Sequence, residues 1–284
     1  MCATCGCSSD GAVLRLPADL EREHPGHEHP GQEHPGQEHP GHEHPGYVDG
    51  GLIAPADTRT VALQRKVLAK NDGIAAATRA WLAERGVFML NLMSSPGAGK
   101  TTLLEHTGRE LAGRLDIAVI EGDLQTALDA RRVSAAGCRV IQINTGAGCH
   151  LDAQMVSSAL RALDPAPGSL VVVENVGNLV CPALFDLGEA ARVVLSAVTE
   201  GADKPVKYPQ MFRQADLIVM TKIDLLPYVD FDTARYEADI AGIAPSATLL
   251  KLSAVTGAGL PAWYTWLTAA APASARPARA MKPS

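Results

Sequence analysis

Two periods of apolar residues run through this chain. Beyond residue 86, short apolar runs alternate with stretches in which apolar side chains recur every three or four positions. Phe88–Met93, Ile117–Glu121, Arg139–Asn144, Leu170–Glu174, Arg192–Thr199, Leu217–Thr221 and Thr248–Leu252 are continuous runs, not alternating ones, which is the pattern of strands covered on both faces. Between them, helices are predicted from Lys100, with Leu104, Thr107, Gly108, Leu111 and Leu115 inward, and over Leu124–Ala136, Asp152–Leu163 and Leu260–Ala270. Strand–helix alternation of this kind specifies an α/β fold: a mainly parallel sheet in three layers, with helices on both faces. Upstream, Leu63, Val67, Ile74, Ala77 and Trp81 keep helical spacing behind a cap at Asp57 or Thr58, and Asn71-Asp72-Gly73 predicts a break in that helix.

Composition separates the two ends from this pattern. Hydrophobic residues make up 46% of the 284 positions and aromatic ones 4%, so Val, Leu, Ile and Ala must build the core of a domain over residues 55–271. The histidine repeat within residues 1–50 holds almost no apolar side chains. His24-Pro-Gly opens a five-residue repeat that returns at His29, His34, His39 and His44, with His27 and His42 inside it. Pro and Gly at that frequency forbid a helix and leave the segment without a core, so a disordered tail is expected there, and another over the Ala/Pro-rich residues 272–284. A formal charge of −6 argues against nucleic-acid binding. No apolar run approaches the roughly 20 residues of a membrane helix, and the N-terminus shows no apolar signal segment. A cytoplasmic protein is expected, whose six cysteines are ligands or buried thiols.

The first apolar run leads into Ser94-Ser-Pro-Gly97-Ala98-Gly99-Lys100-Thr101-Thr102. Strand, glycine loop and helix in that order form a P-loop: backbone N–H groups cradle phosphate, Lys100 reaches the β- and γ-phosphates, and the Thr101 hydroxyl holds Mg²⁺. Ser94 stands where the motif has its first glycine, and a small residue is tolerable because the cradle is backbone from Pro96 to Thr101. Further candidates fall on successive strand ends, where ligands of such sheets collect. Asp123 and Glu174 are candidates for Mg²⁺ and Gly177 for sensing the γ-phosphate. Lys222 and Asp224 would take guanine, whose two N–H donors a carboxylate accepts, with Ser253 and Ala254 at its O6 edge. Thr221 replaces the usual Asn ahead of Lys222, which removes a side-chain amide that holds the loop. Asn178 follows Gly177, where fast GTPases carry a water-orienting Gln, so slow hydrolysis is expected.

Three features carry metal chemistry. Cys2, Cys5 and Cys7 can wrap one ion, Ni²⁺ if square-planar or Zn²⁺ if tetrahedral. The histidine repeat presents imidazoles and carboxylates to a borderline-soft cation. Cys149-His150 and Cys181 lie on loops that leave strand ends near the phosphates, whereas Cys138 reads as a buried core thiol.

Cys2-Ala-Thr-Cys-Gly-Cys7, the histidine tract, Ser-Ser-Pro-Gly-Ala-Gly-Lys-Thr-Thr, Glu-Gly-Asp123, Gly-Cys-His150, Glu174-Asn-Val-Gly-Asn-Leu-Val-Cys-Pro182 and Lys204-Pro-Val-Lys-Tyr-Pro209 together resemble the hydrogenase nickel-incorporation GTPases of the HypB type. The resemblance implies a P-loop NTPase fold and a homodimer linked to GTP and metal. It implies Ni²⁺ delivery to the [NiFe]-hydrogenase large subunit, with a small nickel/zinc metallochaperone (HypA type) as partner. It also implies a tight nickel site at Cys2, Cys5 and Cys7, and a nickel-or-zinc site of Cys149, His150 and Cys181 at the dimer interface. Alternatives are a urease-type nickel-insertion GTPase and a nickel storage protein. A metal buffer with a vestigial P-loop would not hydrolyse GTP, and a regulatory GTPase with incidental thiols would not respond to metal.

Overall fold

The computed structural model describes residues 13–15, 58–123, 128–146, 148 and 150–271. In chain order they form β1 (Val13–Arg15), α1 (Thr58–Glu84), β2 (Phe88–Ser94), α2 (Lys100–Leu111), β3 (Ile117–Asp123), α3 (Leu128–Ala135), β4 (Arg139–Asn144), α4 (Ala153–Leu163), β5 (Leu170–Glu174), β6 (Ala191–Ala197), α5 (Lys204–Lys207), α6 (Pro209–Arg213), β7 (Leu217–Thr221), α7 (Thr233–Ile243), β8 (Thr248–Lys251) and α8 (Leu260–Ala270). The sheet order is β1-β4-β3-β5-β2-β6-β7-β8. From β4 to β8 every pairing is parallel, and β1 alone adds antiparallel, placing Val13 opposite Asn144. An edge strand exposes a row of unpaired backbone groups, and a short apolar segment of the N-terminal region covers part of it here.

Consecutive strand residues enter different cores. Leu90 and Leu92 of β2, with Leu170 and Val172 of β5, pack under α2 and α8 beside Leu104, Leu111, Trp263 and Leu267. Met89, Val171 and Val173 face the opposite layer, with Leu82 of α1 and Val156 and Leu160 of α4. That double covering is why the strands read as unbroken apolar runs. A third cluster around Phe212, Met220 and Tyr236 fills the space under α6 and α7. Trp263 donates to the Thr107 hydroxyl at 2.9 Å, satisfying a buried indole and pinning α8 to α2.

Several boundaries differ from the sequence reading. β3 runs to Asp123, not Glu121, because β4 continues beside it and pairs Asp123 with Asn144. β6 gives way to a 3-10 turn at Val198–Glu200. α5 and α6 are too short to show a period, whereas α7 was missed although Tyr236, Ile240 and Ile243 keep helical spacing behind an Asp232 cap. The expected break in α1 is absent: the helix is continuous through Asn71-Asp72-Gly73. Its buried positions are Asn71, Ala75, Thr78 and Leu82, one residue out of step with the apolar stripe, and Val67 is 39% exposed. Packing against the domain selects small and polar side chains here, overriding the local pattern.

Candidate functional site

β2 ends in the P-loop, where Gly97 and Gly99 adopt φ +75° and +99°, values natural to glycine, before α2 starts at Lys100. Lys100 and Thr101 are buried at the helix N-terminus. The Lys100 ammonium donates to the Ser94 hydroxyl at 2.9 Å. Ser94 thus does more than fit where glycine is usual: it orients the lysine. Burial lowers the Lys100 pKa, against the pull of Glu174.

A cavity of about 470 Å³ opens over this turn, lined by Pro96 to Thr102 in part, Glu121 to Asp123, Asp129, Arg132, Glu174 to Gly177 and Lys222. The Thr101 hydroxyl donates to Glu174 Oε1 at 2.9 Å. Glu174 Oε2 and Glu121 Oε2 are buried without hydrogen-bond partners. Burial pushes the Glu174 carboxyl up to about 7, with Lys100 and Thr101 opposing it. Glu121 rises to about 9, through burial first and then the charges of Glu174 and Asp123. The Thr101 hydroxyl and the carboxylates of Glu121, Asp123 and Glu174 line the cavity beside the phosphate cradle. They offer oxygen donors, the type that suits a hard divalent cation such as Mg²⁺, without converging into a formed three-ligand cluster among the described residues. Sequence reasoning missed Glu121, Asp129 and Arg132 as lining residues. Glu121 was legible in Glu-Gly-Asp, but Asp129 and Arg132 reach the cavity only because α3 packs on α2, with Arg132 bonded to Glu105 and Asp129.

The base-side candidates gather on the neighbouring strand ends. Thr221 donates from its hydroxyl to the Ala98 carbonyl at 2.7 Å, so the loop tether expected to be lost is present in another form. Lys222 turns the chain with φ +59° and lines the cavity. Ile223 N–H reaches Leu252 O at 3.3 Å, drawing the Asp224 loop beside Ser253 and Ala254. These last three residues lie past the rim of the phosphate cavity. Asp224 Oδ1 is buried with no hydrogen-bond partner, the condition of an acceptor built for an incoming N–H donor. The Ser253 hydroxyl accepts from Thr256 N–H, closing its own turn.

The metal candidates divide. Cys2, Cys5, Cys7, His24, His27, His29, His34, His39, His42, His44 and Cys149 lie outside the described residues. His150 and Cys181 are described, 8% and 5% exposed, so they lie in buried segments, whereas their neighbours suggested polar loops. His150 stacks on Phe185 with ring centroids 4.1 Å apart, and Phe185 ends the 3-10 turn Cys181–Leu184. The two loops therefore touch. Burial lowers the His150 pKa, which favours the neutral imidazole that binds metal. No group of three potential ligands assembles among the described residues. Cys138 packs in the core, and burial raises its thiol to about 11, as befits a structural cysteine.

Asn178 does not resemble a water-orienting group here. Its carbonyl oxygen accepts from Val180 N–H and Cys181 N–H at 2.7 and 3.3 Å, capping the turn that carries Cys181.

Residues 88–251 match the family model for the CobW/HypB/UreG nucleotide-binding domain. The hydrogenase maturation factor HypB of Rhizobium leguminosarum bv. viciae is 53% identical over 213 residues, 75% of this chain and 71% of that protein. The chain belongs to the HypB family. Two solved HypB structures share its fold. That from Archaeoglobus fulgidus superimposes with a TM-score of 0.67 at 39% identity, covering 71% of this chain and 98% of the other. HypB from Helicobacter pylori in complex with nickel gives a TM-score of 0.65 at 38% identity, covering 70% and 93%. The expected three-layer, mainly parallel fold and the HypB resemblance both hold.

Proposed function

We propose that this chain is a slow GTPase that binds Ni²⁺ and couples GTP binding and hydrolysis to nickel insertion into the [NiFe]-hydrogenase large subunit. It acts in the cytoplasm as a homodimer, with a HypA-type nickel/zinc metallochaperone as partner. The tail of residues 1–50 collects metal through Cys2, Cys5 and Cys7 and stores it on the histidine tract. Cys149, His150 and Cys181 form the nucleotide-linked metal site, which takes Ni²⁺ or Zn²⁺. The R. leguminosarum relative supports the hydrogenase assignment by its name, and the H. pylori structure supports nickel as cargo.

One observation carries the coupling. Leu151, next to His150, packs so closely on Gly122 of Glu-Gly-Asp123 that a Cβ there would lie 2.9 Å from its side chain. Its N–H donates to Asn175, the residue after Glu174, at 3.2 Å. The loop that bears the metal candidates thus rests on the carboxylate strand ends of the nucleotide site. In the proposed mechanism Lys100 and the P-loop N–H groups hold the phosphates, and Asp224 selects guanine. Thr101 and Asp123, with Glu174 directly or through water, would hold Mg²⁺, which neutralises phosphate charge. Gly177 N–H meets the γ-phosphate. Asn178, at the position where fast GTPases carry a water-orienting Gln, is engaged in capping the Cys181 turn, which supports slow turnover.

The test is GTP hydrolysis and metal content of the intact protein, of Lys100→Ala and of protein lacking residues 1–50. Turnover is expected to vanish in Lys100→Ala and persist without the tail, which carries away most bound nickel. Turnover surviving in Lys100→Ala would overturn the assignment, and nickel retained in full without residues 1–50 would remove the storage role.

A further inference from the structure

Asn71 sits in the middle of α1 and is 7% exposed. Its side-chain oxygen accepts from Ala153 N–H at 2.9 Å, and its amide nitrogen donates to Asp186 O at 2.7 Å. Ala153 opens α4, just after Leu151-Asp152, on the segment that carries Cys149 and His150. Asp186 follows the 3-10 turn Cys181–Leu184 and Phe185, on the segment that carries Cys181. One carboxamide therefore spans the two segments whose cysteines and histidine must meet at a common ion.

The rest of that helix face fixes the amide in place. Four residues on, the Ala75 carbonyl lies where a Cβ on Gly188 would approach to 2.7 Å, so helix and loop are in direct backbone contact. After four more, Arg79 grips both carboxylate oxygens of Asp186 at 2.6 and 2.8 Å. Asn71, Ala75 and Arg79 share one face of α1 through their spacing of four. The carboxamide supplies an acceptor and a donor on two separate atoms, so it bonds both sides of this gap at once. The Ala153 N–H is one of the donors that a helix start leaves unpaired, so the contact also seats α4.

We propose that Asn71 is a positioning residue for the Cys149, His150 and Cys181 metal site, setting the spacing between its two ligand-bearing segments. The proposal rests on the metal-site reading above. Asn71 touches neither metal nor nucleotide in this scheme. It acts by holding ligands within the few tenths of an ångström that coordination demands. Groups that hydrogen-bond metal ligands directly are worth about 10–100-fold in affinity when removed, and Asn71, which acts through the backbone of the ligand-bearing segments, belongs at the low end of that range.

The experiment uses full-length protein with Cys2, Cys5 and Cys7 replaced by serine, so that sulfur-to-nickel charge-transfer absorption reports only the remaining thiols. Ni²⁺ is titrated with GDP present, and GDP affinity is measured in parallel. Asn71→Ala is expected to weaken nickel binding about tenfold and alter the band, with GDP affinity within about twofold. Asn71→Asp keeps the acceptor for Ala153 and loses the donor to Asp186, so it should fall between, and it decides the matter if the alanine variant does not fold. Nickel binding unchanged in both variants would overturn the proposal, and so would GDP affinity falling as much as nickel affinity, which marks a merely structural residue. Cys149→Ser together with Cys181→Ser in the same background is the control. A band that survives it removes the metal-site reading itself, whatever Asn71 does.

Discussion

Ser94, Thr221 and Asn178 each occupy a position where a sequence motif expects another residue, and each has found work through its hydrogen bonds. Ser94 holds Lys100, Thr221 holds the P-loop at Ala98, and Asn178 shapes the turn at Cys181. Asp224 departs from nothing, yet its buried Oδ1 lacks a partner. Asp224→Asn would present an N–H to the guanine donors, and a lost acceptor of this kind costs about 1–3 kcal/mol. GTP titration should show that loss, and unchanged affinity would sink the guanine assignment. Glu121 allows a test by pH. Its folded pKa of about 9 lies above the ordinary value of 4.5, so folding takes up a proton. The stabilisation is complete below about 4.5 and lost as pH rises through about 9. Nucleotide-free Glu121→Gln should therefore melt higher than the parent at pH 8.5 and close to it at pH 5, with about 2–4 °C expected per kcal/mol in a chain of this size.

Elements bring these residues into range of one another. Gly177 packs so tightly on the P-loop that a Cβ would lie 2.9 Å from Pro96 N. Gly177→Ala must push the two loops apart, and forced overpacking costs typically about 1–3 kcal/mol. GTP affinity and turnover are expected to fall together, with GDP affinity less affected, since GDP has no γ-phosphate to meet that segment. Equal loss for both nucleotides would show that Gly177 serves only the loop packing. On the other side of the site, Thr145 N–H and Leu151 tie the loop after β4 to Asp123 O and Gly122. The strand ends that carry Asp123 and Glu174 are thus in direct contact with the His150 segment.

At the scale of the molecule this connectivity predicts linkage. If the γ-phosphate draws Gly177 inward, Asn178 and the Cys181 turn follow. Metal at that site must then change the preference for GTP over GDP by the factor by which nucleotide changes metal affinity. Protein lacking residues 1–50, titrated with Ni²⁺ in GDP and in a non-hydrolysable GTP analogue, should give two affinities. Cys2, Cys5 and Cys7 in a short peptide should bind nickel indifferently to nucleotide. One affinity in both states would leave the GTPase without a mechanical hold on its cargo.

The strands, the P-loop and the order of candidates along the strand ends were legible in the sequence. They depend on local periods and on residue types whose chemistry does not change with context, such as Lys100 after Gly99 or a run like Leu170–Glu174. Tertiary structure alone decided which polar side chains became joints. Asn71 read as a helix breaker because an isolated carboxamide competes with its own backbone. In the fold, Ala153 and Asp186 occupy that carboxamide, and the helix runs on. Glu121 was legible in Glu-Gly-Asp123, but its place beside Glu174 on the neighbouring strand was not, and nothing near Thr221 in sequence announces Ala98. A hydrogen-bond partner 82 to 123 residues away leaves no trace in the period of either segment, so only the packed chain could show it.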